Sequence, residues 1–162
     1  MISNIPEWVQ IFLFSMFPWV EARYTIPYAM IQLEWMWWQA FPLAVLGNFL
    51  PIPLILLFFH RVEKFLRNYS FWCKLMDWLF ARTRRKADHH ISKYQYVGLF
   101  IFVAIPIPFT GAWTGALIAY LFQLNNIKSL ITIFCGIVLA SLCMIVMTIY
   151  VRSLLIYFGV NI

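Results

Sequence analysis

The chain has 162 residues, of which 64% are hydrophobic and 11% charged, with a mean hydropathy of +0.81. Soluble domains carry about 25% charged residues, so this composition excludes an ordinary water-soluble enzyme or binding module and indicates one membrane domain, 1–162. The net charge of +6 is concentrated between Arg61 and Lys93, a pattern that suits anionic lipid and not nucleic acid.

The opening apolar run, 8–20, is too short to span a bilayer. Met1 to Trp8 has no basic n-region and no A-x-A site follows, so this run is expected to stay in the protein. It meets Pro18, then Glu21-Ala22-Arg23 and Thr25-Ile26-Pro27. A second apolar arm continues to Met36, beside Glu34 and the Trp35, Trp37, Trp38 group, which reads as an interfacial belt. The pattern predicts a first interrupted hairpin over 8–38.

Residues 40–59 are uncharged and long enough to cross. Gly47-Asn48 and Pro51-Ile52-Pro53 predict a kink, and Asn48 at mid-membrane calls for a hydrogen-bond partner or a place in the site.

The connection 60–96 holds Arg61, Lys64, Arg67, Lys74, Arg82, Arg84, Arg85, Lys86 and Lys93. It is expected to be cytoplasmic by the positive-inside rule. Phe65, Tyr69, Trp72, Met76 and Leu79 share one helical face, as in a helix lying on the bilayer. Asp88-His89-His90 is not expected to hold a metal, because adjacent histidines point in different directions and no further ligands stand nearby.

Residues 97–121 carry no charge, yet Pro106, Pro108 and Gly111 interrupt them. Proline removes an amide donor, and irregular backbone at membrane depth survives only where protein buries it or it lines a cavity. Arms of about ten residues rise roughly 15 Å, about half the hydrocarbon core. That length fits either a second re-entrant hairpin or a kinked full span. The last apolar segment, 129–151, reads as an uninterrupted spanning helix. Cys73, Cys135 and Cys143 show no pairing pattern and read as packing residues.

The order is hairpin, span, basic connection, hairpin, span. If each hairpin returns to its starting side, the fold is an all-α integral membrane protein, an inverted repeat of re-entrant helical hairpin plus transmembrane helix, with its site at the midplane. Full crossings would make the repeat parallel.

Thr25 and Thr110 are candidate N-caps for the helices that follow the two breaks, and Pro27 falls in a first turn, where proline is tolerated. Helix starts present free amides and favour anions. Arg23 adds a guanidinium suited to phosphate or carboxylate. Arg23, Thr25, Thr110, Gly111, Trp113 and Thr114 are therefore the candidate substrate-binding residues. Glu21 is the candidate proton carrier, since an ionisable group within the membrane is functional by default; it could also pair with Arg23 if the tip is non-helical. Pro27, Asn48, Pro106, Pro108 and Gly115 are the candidate structural residues, with Gly111, Gly115 and Ala119 forming a small-residue packing stripe. No nucleophile–base pair and no Walker-type loop is visible, so neither an enzyme nor a cofactor is expected.

The runs Phe17-Pro18-Trp19-Val20-Glu21-Ala22-Arg23-Tyr24-Thr25-Ile26-Pro27, Gly47-Asn48 with Pro51 and Pro53, and Phe102 through Ala116 resemble the small multidrug export protein family of archaea and bacteria. That family is distantly similar to the DedA-type (VTT-domain) membrane proteins. The resemblance implies paired re-entrant hairpins, a shared core of Glu21, Arg23, Pro106, Pro108 and Thr110 through Gly115, and transport of polyprenyl phosphate lipid carriers coupled to an ion gradient. Phe109 stands where the family pattern leads one to expect glycine.

The expected function is a multi-pass cell-membrane transporter or flippase for an anionic lipid carrier such as a polyprenyl phosphate. A cationic multidrug exporter is the alternative. Anionic membrane lipid is the expected partner, and a homodimer is plausible for so small a chain.

Overall fold

The computed structural model describes residues 5–66, 92–107 and 110–158. Among these residues the chain is helical, with no strand. The helices are α1 (Glu7–Met16), α2 (Glu21–Gln32), α3 (Trp37–Phe49), α4 (Pro51–Leu66), α5 (Ser92–Ala104), α6 (Ala112–Leu121) and α7 (Asn126–Tyr157). The amphipathic face expected at 65–79, the Asp88-His89-His90 run, Cys73, Pro108 and Phe109 lie wholly or mainly outside the described residues.

Two stretches are long and apolar enough to cross a membrane, Trp37–Phe58 with 22 residues and Asn126–Tyr157 with 32. In the first, Leu50 keeps helical angles and its amide still donates to Leu46 O at 2.9 Å. Pro51 and Pro53 remove the next donors, so α3 passes into α4 at an interruption of the hydrogen-bond ladder and not at a loop. The second is longer than the 129–151 expected. Asn125 starts it, its side chain accepting from the amides of Ile127 and Lys128 at 3.0 and 3.3 Å, an N-cap arrangement.

The other two units are short and interrupted, and each doubles back. Turn residues 17–20 separate α1 from α2. The far ends of this pair meet again where Trp35 Nε1 donates to Glu7 Oε2 at 3.0 Å. Residues 105–111 separate α5 from α6. Here Asn125 N donates to Tyr96 Oη at 3.1 Å, which brings the exit of α6 beside the entry of α5.

Close approach explains the small residues. A Cβ on Gly115 would lie 2.6 Å from Val103 Cγ2, and one on Gly136 would lie 2.8 Å from Val103 Cβ, so Val103 is wedged between α6 and α7. A Cβ on Gly47 would lie 2.5 Å from Phe12 O, which fixes the packing of α1 on α3. The largest buried cluster joins Val45, Ile52 and Leu56 with Leu99, Val103, Ala112, Ala116, Ala119, Ile133 and Ile137. A second joins Ala22, Ile26 and Met30 of α2 to Ala44 and Ile145. Interfaces this rich in alanine and glycine are what helix association in lipid requires, where burial of apolar surface gives no advantage and van der Waals packing decides.

The outside is equally apolar. Leu54, Leu57, Phe58, Ile131, Val146, Met147 and Tyr150 are all exposed. Only 33% of the most apolar window of Asn126–Tyr157 is buried. The core helix of a soluble protein would bury most of that surface, so lipid is its fitting surroundings.

Candidate functional site

The two interruptions face each other at the centre of the helices. Each leaves backbone groups that a continuous helix would have paired: carbonyls at the end of α1 and α5, amides at the start of α2 and α6. In a water-poor interior these must find partners. Some are met locally, as where the Glu21 amide donates to Phe17 O at 3.0 Å, and others in the opposite unit.

Arg23, in α2, reaches across to the second break. Its Nη2 donates to Val103 O at 3.0 Å and Thr110 O at 2.9 Å. Its Nη1 donates to Ile107 O and, at 3.2 Å, to Thr110 Oγ1. One guanidinium thus closes the carbonyl end of α5 and the loop after it, placing positive charge where the helix dipole is negative. The five-donor planar fork of arginine makes this possible; a lysine has neither the number nor the directions.

Glu21 does the reverse. Its carboxylate lies against Gly111, the N-cap of α6, so closely that a Cβ there would sit 2.0 Å from both carboxylate oxygens. It stands toward the Ala112 and Trp113 amides at the start of that helix. Negative charge therefore meets the positive helix start. Glu21 Oε2 is 3.9 Å from Arg23 Nε, so the two ends of the broken segment are bound by one loosely coupled ion pair. The pair is 5% and 8% exposed.

The third exchange runs the other way. Trp113 Nε1 donates to Met16 O at 3.2 Å, satisfying the last carbonyl of α1 from α6.

Local backbone makes this reach possible. Glu21 opens α2 with φ 45°, in the left-handed region, which is uncommon for a residue with a side chain. Its carboxylate is thereby turned away from the helix that follows. The expectation that a Glu21–Arg23 pair requires a non-helical tip is met by this residue.

The structure revises three other expectations. Thr25 is not an N-cap: α2 starts at Glu21, directly after the 17–20 turn, and the Thr25 hydroxyl donates back to Glu21 O at 2.6 Å. It is 1% exposed and faces the core, not a ligand. Pro27 accordingly lies inside α2 and not in its first turn. Thr110 is not an N-cap either, because Gly111 holds that position without a side-chain cap. The Thr110 hydroxyl instead serves Ile107 O and Ile105 O at 2.8 and 3.1 Å and accepts from Arg23.

A cavity of about 350 Å³ opens beside the pair. Arg23, Gly111, Trp113 and Thr114 line it together with Glu21. Pro18, Trp19, Val20 and Tyr24 complete the wall. These four lie in the quoted Phe17–Pro27 run but could not be told from ordinary apolar residues. Asn48 is 3% exposed and its Oδ1 has no hydrogen-bond partner, so that atom does not make the interhelical bond expected of it. Pro106 lies in the second break, and Gly115 packs against Val103. Among the described residues no group of three or more His, Cys, Asp or Glu could hold a metal ion.

The arrangement can bind and release charge without covalent chemistry. The amides at the start of α6 form an anion seat, and in this structure the chain's own carboxylate occupies it.

A family model described as "Putative small multi-drug export protein" matches residues 21–143. No curated protein and no solved structure matches.

Proposed function

The chain belongs to the small multi-drug export protein family, and from that premise and the geometry around Glu21 we infer a membrane transporter for an anionic lipid carrier, such as a polyprenyl phosphate, driven by an ion gradient. The observation that carries this reading is the carboxylate of Glu21 lying against Gly111, the N-cap of α6, at the amide end of that helix. It is an internal anion in a seat that a substrate phosphate would also fit. On taking up a proton, Glu21 loses its charge-assisted hold and leaves the seat. A phosphate entering from the 350 Å³ cavity then takes the amides, with the Arg23 guanidinium beside it. Release of the proton reverses the exchange. Trp19, Val20, Tyr24 and Trp113 on the same wall suit the apolar chain of such a lipid.

In this reading the two doubled-back units are re-entrant hairpins that enter from opposite leaflets, the halves form an inverted repeat, and 60–96 is cytoplasmic. The protein acts in the cell membrane as a multi-pass homodimer and catalyses no covalent reaction.

A second reading, export of cationic compounds, is favoured by the same wall, where Trp19, Tyr24 and Trp113 stand near a carboxylate. Aromatic faces and a carboxylate attract an organic cation. It ranks lower because Arg23 sits 3.9 Å from that carboxylate.

The test uses purified protein in proteoliposomes with an imposed pH gradient. A fluorescent polyprenyl phosphate is expected to cross the bilayer at a rate that follows the gradient, and Glu21→Gln to lose that dependence. Movement of a quaternary ammonium dye alone would select the second reading. Unchanged lipid movement in folded Glu21→Gln and Arg23→Lys proteins would overturn the mechanism.

A further inference from the structure

Behind the Glu21–Arg23 pair, away from the large cavity, lies a small one of about 10 Å³. Its polar walls are Glu21, Arg23, Asn48 of α3 and Ser141 of α7, and its apolar walls include Val103 and Ile137. Asn48 and Ser141 are 3% and 1% exposed, and Asn48 Oδ1 and Ser141 Oγ have no hydrogen-bond partner. Ser129 Oγ, near the start of α7, is buried without a partner too, but does not border this space. Ser15 and Thr148, also buried in helices, donate to the carbonyl four residues back at 2.8 and 2.7 Å, the ordinary solution. Two orphaned oxygens on the walls of one small space, contributed by two different spanning helices, call for a shared guest, because an unmade hydrogen bond in an apolar interior is costly.

We propose that this cavity binds a single water molecule bridging Asn48 Oδ1, Ser141 Oγ and the Glu21–Arg23 pair. The space holds about one water, and three polar partners are the usual complement of a buried one. The water donates to Asn48 Oδ1, exchanges a hydrogen bond with Ser141 Oγ and turns its remaining valence to the pair. A sodium ion is the competing guest. It asks for more oxygens than the two orphans and Glu21 supply, and the Arg23 guanidinium borders the same space. The pair is therefore hydrated from behind while its other side borders the open cavity. The site does not depend on the chain being a transporter.

A structure of the full chain in lipid nanodiscs, at a resolution that shows ordered water, tests this without any substitution. A peak within hydrogen-bonding distance of both Asn48 Oδ1 and Ser141 Oγ is expected, equally in sodium and in choline buffer. A second arm measures thermal unfolding of Asn48→Leu, Ser141→Ala and the double variant. If one water serves both residues, the Ser141→Ala shift is at least about halved in the Asn48→Leu background. An empty cavity, a peak that needs sodium, or fully additive shifts would overturn the proposal.

Discussion

Glu21 holds its place against two opposing costs. A side-chain residue in the left-handed region carries about 1–3 kcal/mol of strain, and its carboxylate is buried. The return is a charged group on otherwise unpaired amides of α6, together with the nearby guanidinium. Gly111 is part of the same device, because its φ of −87° is open to any residue. Only the space taken by Glu21 excludes a Cβ there. Gly111→Ala should therefore expel the carboxylate and act as Glu21→Ala does, each destabilising by about 1–3 kcal/mol. The double variant should cost little more than either single one, and additive losses in thermal unfolding would place Glu21 elsewhere. At this scale the sequence showed which residues matter better than what they do. A buried Glu and Arg two positions apart stood out against an apolar chain. That each would serve a helix end more than 80 residues away is a tertiary fact. The threonines misled because a Thr near a break is a common cap, whereas the chain turned earlier, at 17–20, and left Thr25 inside the helix.

The interruptions were legible at the scale of elements because proline acts locally. Pro106 lies in the break between α5 and α6, and Pro51 and Pro53 interrupt the ladder between α3 and α4. What composition left open was whether 97–121 folds back or crosses. In the structure Gly115 lies close to Val103 and Leu99, so α6 packs back on α5. Val103 is the hinge of this packing. The Cβ that Gly136→Ala adds meets the Val103 Cβ, which cannot rotate away, and the substitution should cost about 1–3 kcal/mol. Val103→Ala should relieve most of it. A Gly136→Ala loss of equal size in the Val103→Ala background, measured by thermal unfolding, would show that the two do not touch.

At the scale of the whole molecule, the apolar exterior and the two long helices place the chain in a membrane, and family membership suggests transport. Composition alone carried the first conclusion. The sequence read as a repeated order of interruption and span in the two halves. Whether such halves are inverted or parallel is not written in composition, because charge patterning bears on sides only where it is strong, as between Arg61 and Lys93. The inverted arrangement predicts that Met36→Cys reacts with an impermeant thiol reagent from outside the cell and Lys128→Cys only from the cytoplasm. Labelling of both from one side would contradict it.

Arg23 closes the carbonyl end of the second broken segment. Solid-state NMR on the protein in bilayers, with ¹⁵N in the arginine guanidinium and ¹³C at the threonine carbonyl, measures this contact directly. With Arg23 Nη2 donating to Thr110 O at 2.9 Å, a strong short-range dipolar coupling is expected, and it should vanish in Arg23→Gln. The same signal in wild type and Arg23→Gln would contradict the account.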